Sequence, residues 1–114
     1  MSRTIPPPVL GEFEQMVMLA LLRLGPDAYG AAVCLEIEQR GGRGVSVSAV
    51  HTTLDRLEQK GLVKSRVGDP TPQRGGKRKR HYEVAALGMK SLQASYRSIR
   101  SMADGIEHLL GEPA

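Results

Sequence analysis

Apolar residues recur every three or four positions through the last quarter of the chain. This spacing is the heptad pattern of a helix that packs along one face against another helix. It predicts one continuous helix from Ala85 to Leu110, roughly 40 Å long at about 1.5 Å per residue. A helix with a single apolar face needs a partner, and a second copy of the chain would supply one. The predicted dimer contacts are Met89, Leu92, Tyr96, Ile99, Ala103, Ile106 and Leu110.

Three shorter helices are predicted ahead of this segment. Leu10 to Leu24 has the apolar spacing of an amphipathic helix, and a second helix is expected from near Gly30 to about Arg40. Ser46 or Ser48 can cap a third helix, because a serine hydroxyl accepts hydrogen bonds from the free amides of a first turn. Gly61 is expected to end that helix as a left-handed residue.

Two strand candidates follow, at residues 62–67 and 80–84, on either side of a loop rich in glycine, proline and basic residues. The order helix, helix, helix, hairpin, helix predicts a fold that is mainly α with a small β-hairpin. We interpret it as a winged helix-turn-helix plus a C-terminal dimerisation helix. The expected organisation is a proline-rich leader at 1–9, a winged helix-turn-helix DNA-binding domain at 10–84, and the dimerisation helix and tail at 85–114.

The basic residues are concentrated in one part of the chain. Sixteen Lys and Arg against twelve Asp and Glu give a net charge of +4. Residues 56–80 hold nine basic and two acidic residues, a charge of +7, whereas the rest of the chain carries −3. A basic patch on a mildly acidic body is the electrostatic pattern of nucleic-acid binding, although charge alone equally fits a solvated loop.

The third helix and the hairpin supply the candidate DNA contacts. A recognition helix lies in the major groove and reads base edges mainly with its N-terminal residues. The lysines, arginines and glycines of the hairpin tip suit phosphate contact. The candidate helix contacts are Ser46, Ser48, His51, Thr52, Thr53 and Arg56. The candidate wing contacts are Arg74, Lys77, Arg78, Lys79, Arg80 and Tyr82.

Four sequence segments, in this order, resemble the PadR family of winged-helix transcriptional regulators. They are LGEFEQMVMLALLRLG (10–25), AYGAAVCLEIEQR (28–40), VSVSAVHTTLDRLEQKGLVKSR (45–66) and GGKRKRHYEVAALGMKSL (75–92). The resemblance implies a dimeric regulator, commonly a repressor, that in many cases releases DNA on binding a small molecule. Two positions depart from the family pattern. His51-Thr52 stands where the family has Tyr-Pro, and Ala85 stands where a threonine would cap the last helix.

Other functions have less support in the sequence. No arrangement of nucleophile, base and orienting group is evident, so we expect neither an enzyme nor a cofactor. His51 and Asp55 are one helical turn apart, but a solvated polar pair is a better interpretation than a metal site. Cys34 is interpreted as a small core residue. The alternative function is a winged helix that docks on another protein without sequence-specific DNA binding.

Three features of the sequence bear on location. The single cysteine, the lack of a long apolar run and the lack of a secretory leader favour a cytoplasmic protein without membrane contact.

The candidate effector pocket is a set of residues on the first and last helices, although methionines that fill gaps in the core explain it as well. That set is Met16, Met18, Met89, Tyr96 and Met102.

Overall fold

The computed structural model describes residues 6–68 and 79–111. Their elements follow the expected order, and the fold is a winged helix-turn-helix with one further helix. The helices are α1 (Glu12–Leu24), α2 (Gly30–Gly41), α3 (Val47–Gln59) and α4 (Ala86–Ala103), and the strands are β1 (Val63–Val67) and β2 (Arg80–Val84). Short 3-10 turns cover Gly25–Asp27 and Glu107–Leu110. No helix in these described ranges is long and apolar enough to cross a membrane.

One apolar core joins the three N-terminal helices to the base of the hairpin. Each element contributes side chains that are almost fully buried, as the helical and strand periodicities predict. Cys34 is buried in α2, as predicted, whereas its neighbour Leu35 points to solvent. The members with no exposed surface include Val17, Met18, Val33, Val50, Leu54, Leu57 and Leu62.

The start of α3 is capped as the sequence predicts. The Ser46 hydroxyl accepts a hydrogen bond from the Ala49 amide at 3.0 Å, and Gly61 adopts a φ of 76° just beyond the helix. Such a cap typically stabilises a helix by about 1 kcal/mol. The turn at Gly61 ends α3 and leads directly into β1, so the hairpin begins immediately after this helix.

The hairpin is antiparallel and has a defined register. Ser65 pairs with Tyr82, and Arg66 pairs with His81. On the other edge of β2, the Tyr82 amide donates to the Ala28 carbonyl at 2.8 Å, and Tyr29 forms a bridge with His81. The segment before α2 thus acts as a short third strand, which holds the hairpin against the helical core.

The prediction of one helix through Leu110 is wrong. α4 ends at Ala103, and Gly105 adopts a φ of 87°, which residues other than glycine rarely adopt. The Gly105 amide donates to the Glu107 carboxylate at 2.8 Å, so the chain turns into the 3-10 segment rather than continuing the helix. As expected from Ala85, the start of α4 has no side-chain cap.

The two ends of α4 have different surroundings. Leu92 is only 5% exposed and belongs to the core of its own chain, so the prediction that it contacts a second copy has no support. Met89 is half-buried, because the first half of α4 covers the base of the hairpin and α1. Leu87 in the first turn of α4 is partly exposed at 40%, and a group of exposed large apolar side chains follows from Tyr96 onward. They are Tyr96, Ile99, Met102, Ile106, Leu109 and Leu110.

Candidate nucleic-acid interface

The exposed face of α3 begins with small hydroxyl residues. Ser48 and Thr52 are one helical turn apart and exposed, and the Thr52 hydroxyl donates to the Ser48 carbonyl at 3.0 Å. The Thr52 oxygen keeps acceptor capacity while its proton is committed to the helix. Val47, in the first turn of α3, is 43% exposed. Short side chains at this end let the helix approach another surface closely.

Asp55 and Gln59 continue the exposed face toward the end of α3. Neither was among the candidate contacts, although the helical period places both outward. A carboxylate repels phosphate but can accept a hydrogen bond from a cytosine amino group. The central line of this face therefore suits base edges better than phosphates.

Arg56 lies on the flank of α3 that faces α1. Lys60 pairs there with Glu14 at 3.0 Å, and Arg56 is close enough to act on the same carboxylate. Burial raises the pKa of Glu14, but hydrogen bonds from the Gly11 amide and Lys60, with the charges of Lys60 and Arg56, lower it below its usual value. Arg56 is exposed, so its guanidinium can still reach a phosphate or guanine.

His51 occupies the opposite flank of α3. Its imidazole lies against Gly30, the first residue of α2, while the side chain as a whole remains exposed. The His51 and Asp55 pair has no metal-site geometry to support it. No group of three or more His, Cys, Asp or Glu suited to a metal occurs in residues 6–68 and 79–111.

Thr53 and Tyr82 cannot make the direct DNA contacts expected of them, because both are buried, at 7% and 4% exposure. Thr53 faces the core beside Leu54, and Tyr82 lies on the hairpin face that packs on the helices. Burial raises the pKa of the Tyr82 phenol, and the negative charge of Asp55 raises it further. Both side chains pack in the core that lies beneath α3 and the hairpin.

A polar chain joins the wing to the recognition helix. Arg80 donates from Nη1 to the Ser65 hydroxyl at 2.9 Å, and Ser65 donates to the Glu58 carboxylate. Glu58 belongs to α3, Ser65 to β1 and Arg80 to β2. These two hydrogen bonds fix the root of the wing relative to α3. The Arg80 guanidinium keeps further N–H groups that can donate to a ligand.

Lys79 begins a second cluster on the other face of the hairpin. Its ammonium lies 4.2 Å from the centroid of the Tyr29 ring, and that ring meets His81 edge-on at 6.0 Å. His81 Nδ1 is 2.9 Å from the Pro26 carbonyl oxygen. The sequence interpretation gave no role to Tyr29 or His81, because only the bridge between distant segments brings them together. Arg74, Lys77 and Arg78 lie outside the described residues.

The proposed effector pocket does not form from the five residues named for it. Met18 is in the core, whereas Tyr96 and Met102 are 59% and 79% exposed. An apolar groove lies instead between α1 and α2, where Met16 and Ile37 meet the exposed Leu19 and Leu22. The Cys34 thiol, which faces the Val45 carbonyl at 3.1 Å, has a pKa raised mainly by burial and then by Glu38.

A comparison with models of protein families found one match. The family model described as the transcriptional regulator PadR-like family matches residues 18–94. These residues include most of α1, the recognition helix, the hairpin and the first half of α4. No curated protein was found to match the chain.

Several solved structures share the fold. A PadR family transcription regulator from hypervirulent Clostridium difficile R20291 is 21% identical, with a TM-score of 0.70 over 88% of this chain and 99% of that one. A PadR-like transcription factor from Bacteroides fragilis is 20% identical, with a TM-score of 0.67 over 85% and 88%. A PadR family transcriptional regulator from Eggerthella lenta DSM 2243 is 25% identical, with a TM-score of 0.63 over 90% and 88%.

Proposed function

The chain belongs to the PadR-like family of transcriptional regulators, and from that premise we propose that it is a sequence-specific DNA-binding repressor that acts as a homodimer. The observation that carries this proposal is the polar chain from Glu58 through Ser65 to Arg80. It fixes the two strands of the hairpin beside α3, and along the central line of exposed residues on α3 the Thr52 hydroxyl makes a hydrogen bond within the helix.

Base readout is assigned to the leading end of α3. Ser48 and Thr52 are short and exposed, so α3 can approach the floor of a major groove to within hydrogen-bonding distance. The Ser46 hydroxyl caps α3 by accepting a hydrogen bond from the Ala49 amide, and it precedes the readout residues at the same end of the helix. Arg56 and His51 occupy the two flanks, which face the two phosphate backbones when a helix lies in the groove.

The wing is assigned to the phosphate backbone. Arg80 and Lys79 lead into the basic stretch at residues 74–80, whose charge attracts duplex DNA regardless of sequence. The wing is strongly positive, whereas α3 is nearly neutral, so the two elements are suited to different parts of DNA binding. The wing supplies affinity, and α3 supplies the choice of sequence.

Dimerisation is assigned to the apolar end of α4. Ile99 and Met102 are 63% and 79% exposed, and the 3-10 segment adds Leu109 and Leu110 to the same end of the chain. A two-fold dimer through this surface would present two recognition helices to one duplex, with half-sites about one helical turn apart. We keep 10–84 as the DNA-binding unit and 85–114 as the dimerisation unit.

We also propose where the protein acts and what releases it from DNA. A repressor acts where the chromosome is, so we assign the chain to the cytoplasm. Release of DNA by a small-molecule effector, as the family resemblance implies, is part of the proposed function. No cofactor and no catalytic step are included.

Selection from a random duplex library tests this function. The chain is incubated with the library at about 0.15 M salt, and the retained fragments are sequenced. We expect enrichment of an inverted repeat, because a two-fold dimer reads both half-sites alike. Retention of no duplex, or retention without any sequence preference, would favour the alternative function, a winged helix that docks on another protein.

Readout by α3 predicts a loss of sequence preference in the variant Ser48→Ala, Thr52→Ala. A lost contact to a base edge typically costs about 1–3 kcal/mol for the preferred base pair. We expect affinity for the selected duplex to fall at least tenfold, with little change on random DNA. Fluorescence anisotropy measures both affinities. Ser98→Ala, an exposed hydroxyl on α4, is the control, and equal losses on the two duplexes would mean that these hydroxyls read no bases.

Phosphate binding by the wing predicts a different result for Lys79→Ala, Arg80→Ala. Affinity should fall on selected and random DNA alike, and the slope of log affinity against log salt should flatten by about two units per chain. Titrations at several salt concentrations give the slope. Lys90→Ala removes an exposed charge from α4 and should leave the slope unchanged. A loss confined to the selected sequence would assign base contacts to the wing root.

A further inference from the structure

One glycine of α2 and one histidine on the flank of α3 lie in close contact. Gly30 is the first residue of α2 and is buried, and the Cε1–Nε2 edge of the His51 imidazole lies against it. A Cβ atom built on Gly30 would lie 2.5 Å from Cε1, 2.6 Å from Nε2 and 3.3 Å from Nδ1 of His51. Any side chain at position 30 would therefore occupy the place of the ring.

The backbone of Gly30 does not itself need glycine. The described glycines with a positive φ are Gly25, Gly42, Gly61, Gly105 and Gly111, and Gly30 is not among them. Alanine is the better residue in a helix, by up to about 1 kcal/mol. The glycine at this position is thus explained by the room that it leaves for the ring of His51.

The ring, rather than the helix, would yield to a larger residue at position 30. His51 is exposed on its other side, so a change of its side-chain torsions carries the imidazole into solvent. The buried contacts of α2 through Val33 and Ile37 would stay in place. Position 30 therefore controls where the imidazole sits and has little influence on whether the chain folds.

We propose that Gly30 is a positioning residue for DNA binding: it holds the imidazole of His51 against the start of α2, where a ring N–H donates to a backbone phosphate oxygen. This inference rests on the proposed function. His51 lies on a flank of α3, away from the central line of Ser48 and Thr52, and the flank of a helix in the groove faces phosphate. Histidine has a ring N–H donor in both tautomers.

A double-mutant cycle on DNA affinity tests this role. We expect Gly30→Ala and His51→Ala each to weaken binding to the selected duplex roughly tenfold, since a hydrogen bond to a charged group is lost. Gly30→Ala in the His51→Ala background should add no further loss, because the glycine acts only through the imidazole. The melting temperature of Gly30→Ala should be unchanged or higher.

Gly41→Ala is the matched control. Gly41 is the last residue of α2, and a Cβ there would meet the flexible end of Met16, with Cε at 2.7 Å. The two variants make the same chemical change in the same helix, and each displaces the end of one flexible side chain. Gly41→Ala should leave DNA affinity as it is.

A spectroscopic measurement on the free protein follows the ring itself. In a ¹H–¹³C spectrum the Cε1–H signal of His51 is assigned by its loss in His51→Ala. We expect Gly30→Ala to move that signal, while those of His81 and His108 stay in place. A general change in the fold would move all three.

Three results would overturn the inference. The first is that Gly30→Ala binds the selected duplex with wild-type affinity. The second is that Gly30→Ala weakens binding equally in the wild-type and the His51→Ala backgrounds. The third is that His51→Ala binds the duplex with wild-type affinity. The last variant changes an exposed side chain and stays folded, so it decides the matter even if Gly30→Ala lowers the melting temperature. If the wild-type chain binds no duplex, the proposed function fails and this role of Gly30 fails with it.

Discussion

The variant Ile99→Glu, Met102→Glu is expected to sediment as a folded monomer and to lose DNA affinity by a factor of roughly 100 or more. Both side chains are exposed on one face of α4, so the change leaves the core of the chain untouched. Four carboxylates at a two-fold interface would repel one another without partners. A monomer engages one half-site at a time, which forfeits the effective concentration that links two binding units.

Sedimentation velocity and anisotropy on the selected duplex measure the two effects. The control is Gln93→Glu, Ser101→Glu, which adds the same two charges to exposed polar positions of α4. It should remain a dimer with nearly wild-type affinity. A dimer that persists in Ile99→Glu, Met102→Glu would mean that the copies meet through another surface.

Gly88→Ala is expected to lower the free energy of unfolding by about 2–3 kcal/mol, the upper range for overpacking in a core. A Cβ at this position would lie 2.0 Å from the carbonyl oxygen of Leu62 and 3.0 Å from Cε of Met18. The carbonyl is backbone at the entrance to β1 and already accepts from the Ala85 amide at 2.9 Å, so it has no room to withdraw. α4 must therefore move away from the hairpin.

Thermal unfolding followed by circular dichroism checks this, with an expected fall in Tm on the order of 10 °C. Ser91→Ala is the matched control, since Ser91 is also buried on α4, one turn later. Its hydroxyl has no hydrogen-bond partner within residues 6–68 and 79–111, so its removal should leave stability unchanged or slightly higher. An unchanged Tm in Gly88→Ala would show that α4 is not held tightly against the hairpin.

The order of elements could be predicted because each depends on local sequence. The Ser46 cap, the Gly61 terminator and the two strands follow from residues close together in the chain. The end of α4 could not be predicted from apolar spacing alone. The heptad pattern continues through Gly105, but the left-handed conformation of that residue ends the helix before the pattern stops.

Burial within the chain's own core was the other source of error. Leu92 fits the heptad as well as Ile99 does, yet it belongs to the chain's own core, because the first half of α4 packs against the N-terminal domain. Thr53 has the helical spacing of Val50, Leu54 and Leu57, and Tyr82 shares a strand face with Val84, but their polar side chains favoured a surface position. The spacing of residues along one helix or strand does not reveal which of them are buried by the other elements of the fold.

Contacts between distant positions account for the rest of the candidate site. Gly30 and His51 are neighbours only because the turn between α2 and α3 brings the start of one helix against the flank of the other. The Glu58, Ser65 and Arg80 chain likewise joins three elements. Neither arrangement follows from residue type or periodicity, and both decide how the wing and the recognition helix face a ligand.

Hydroxyl-radical footprinting of the selected duplex tests whether two copies of the chain read one duplex through paired recognition helices. We expect two protected patches related by a two-fold axis, with centres about 34–36 Å apart along the duplex. Their protection should weaken together in Ile99→Glu, Met102→Glu. A single patch, or two patches that the variant leaves intact, would contradict the dimeric account.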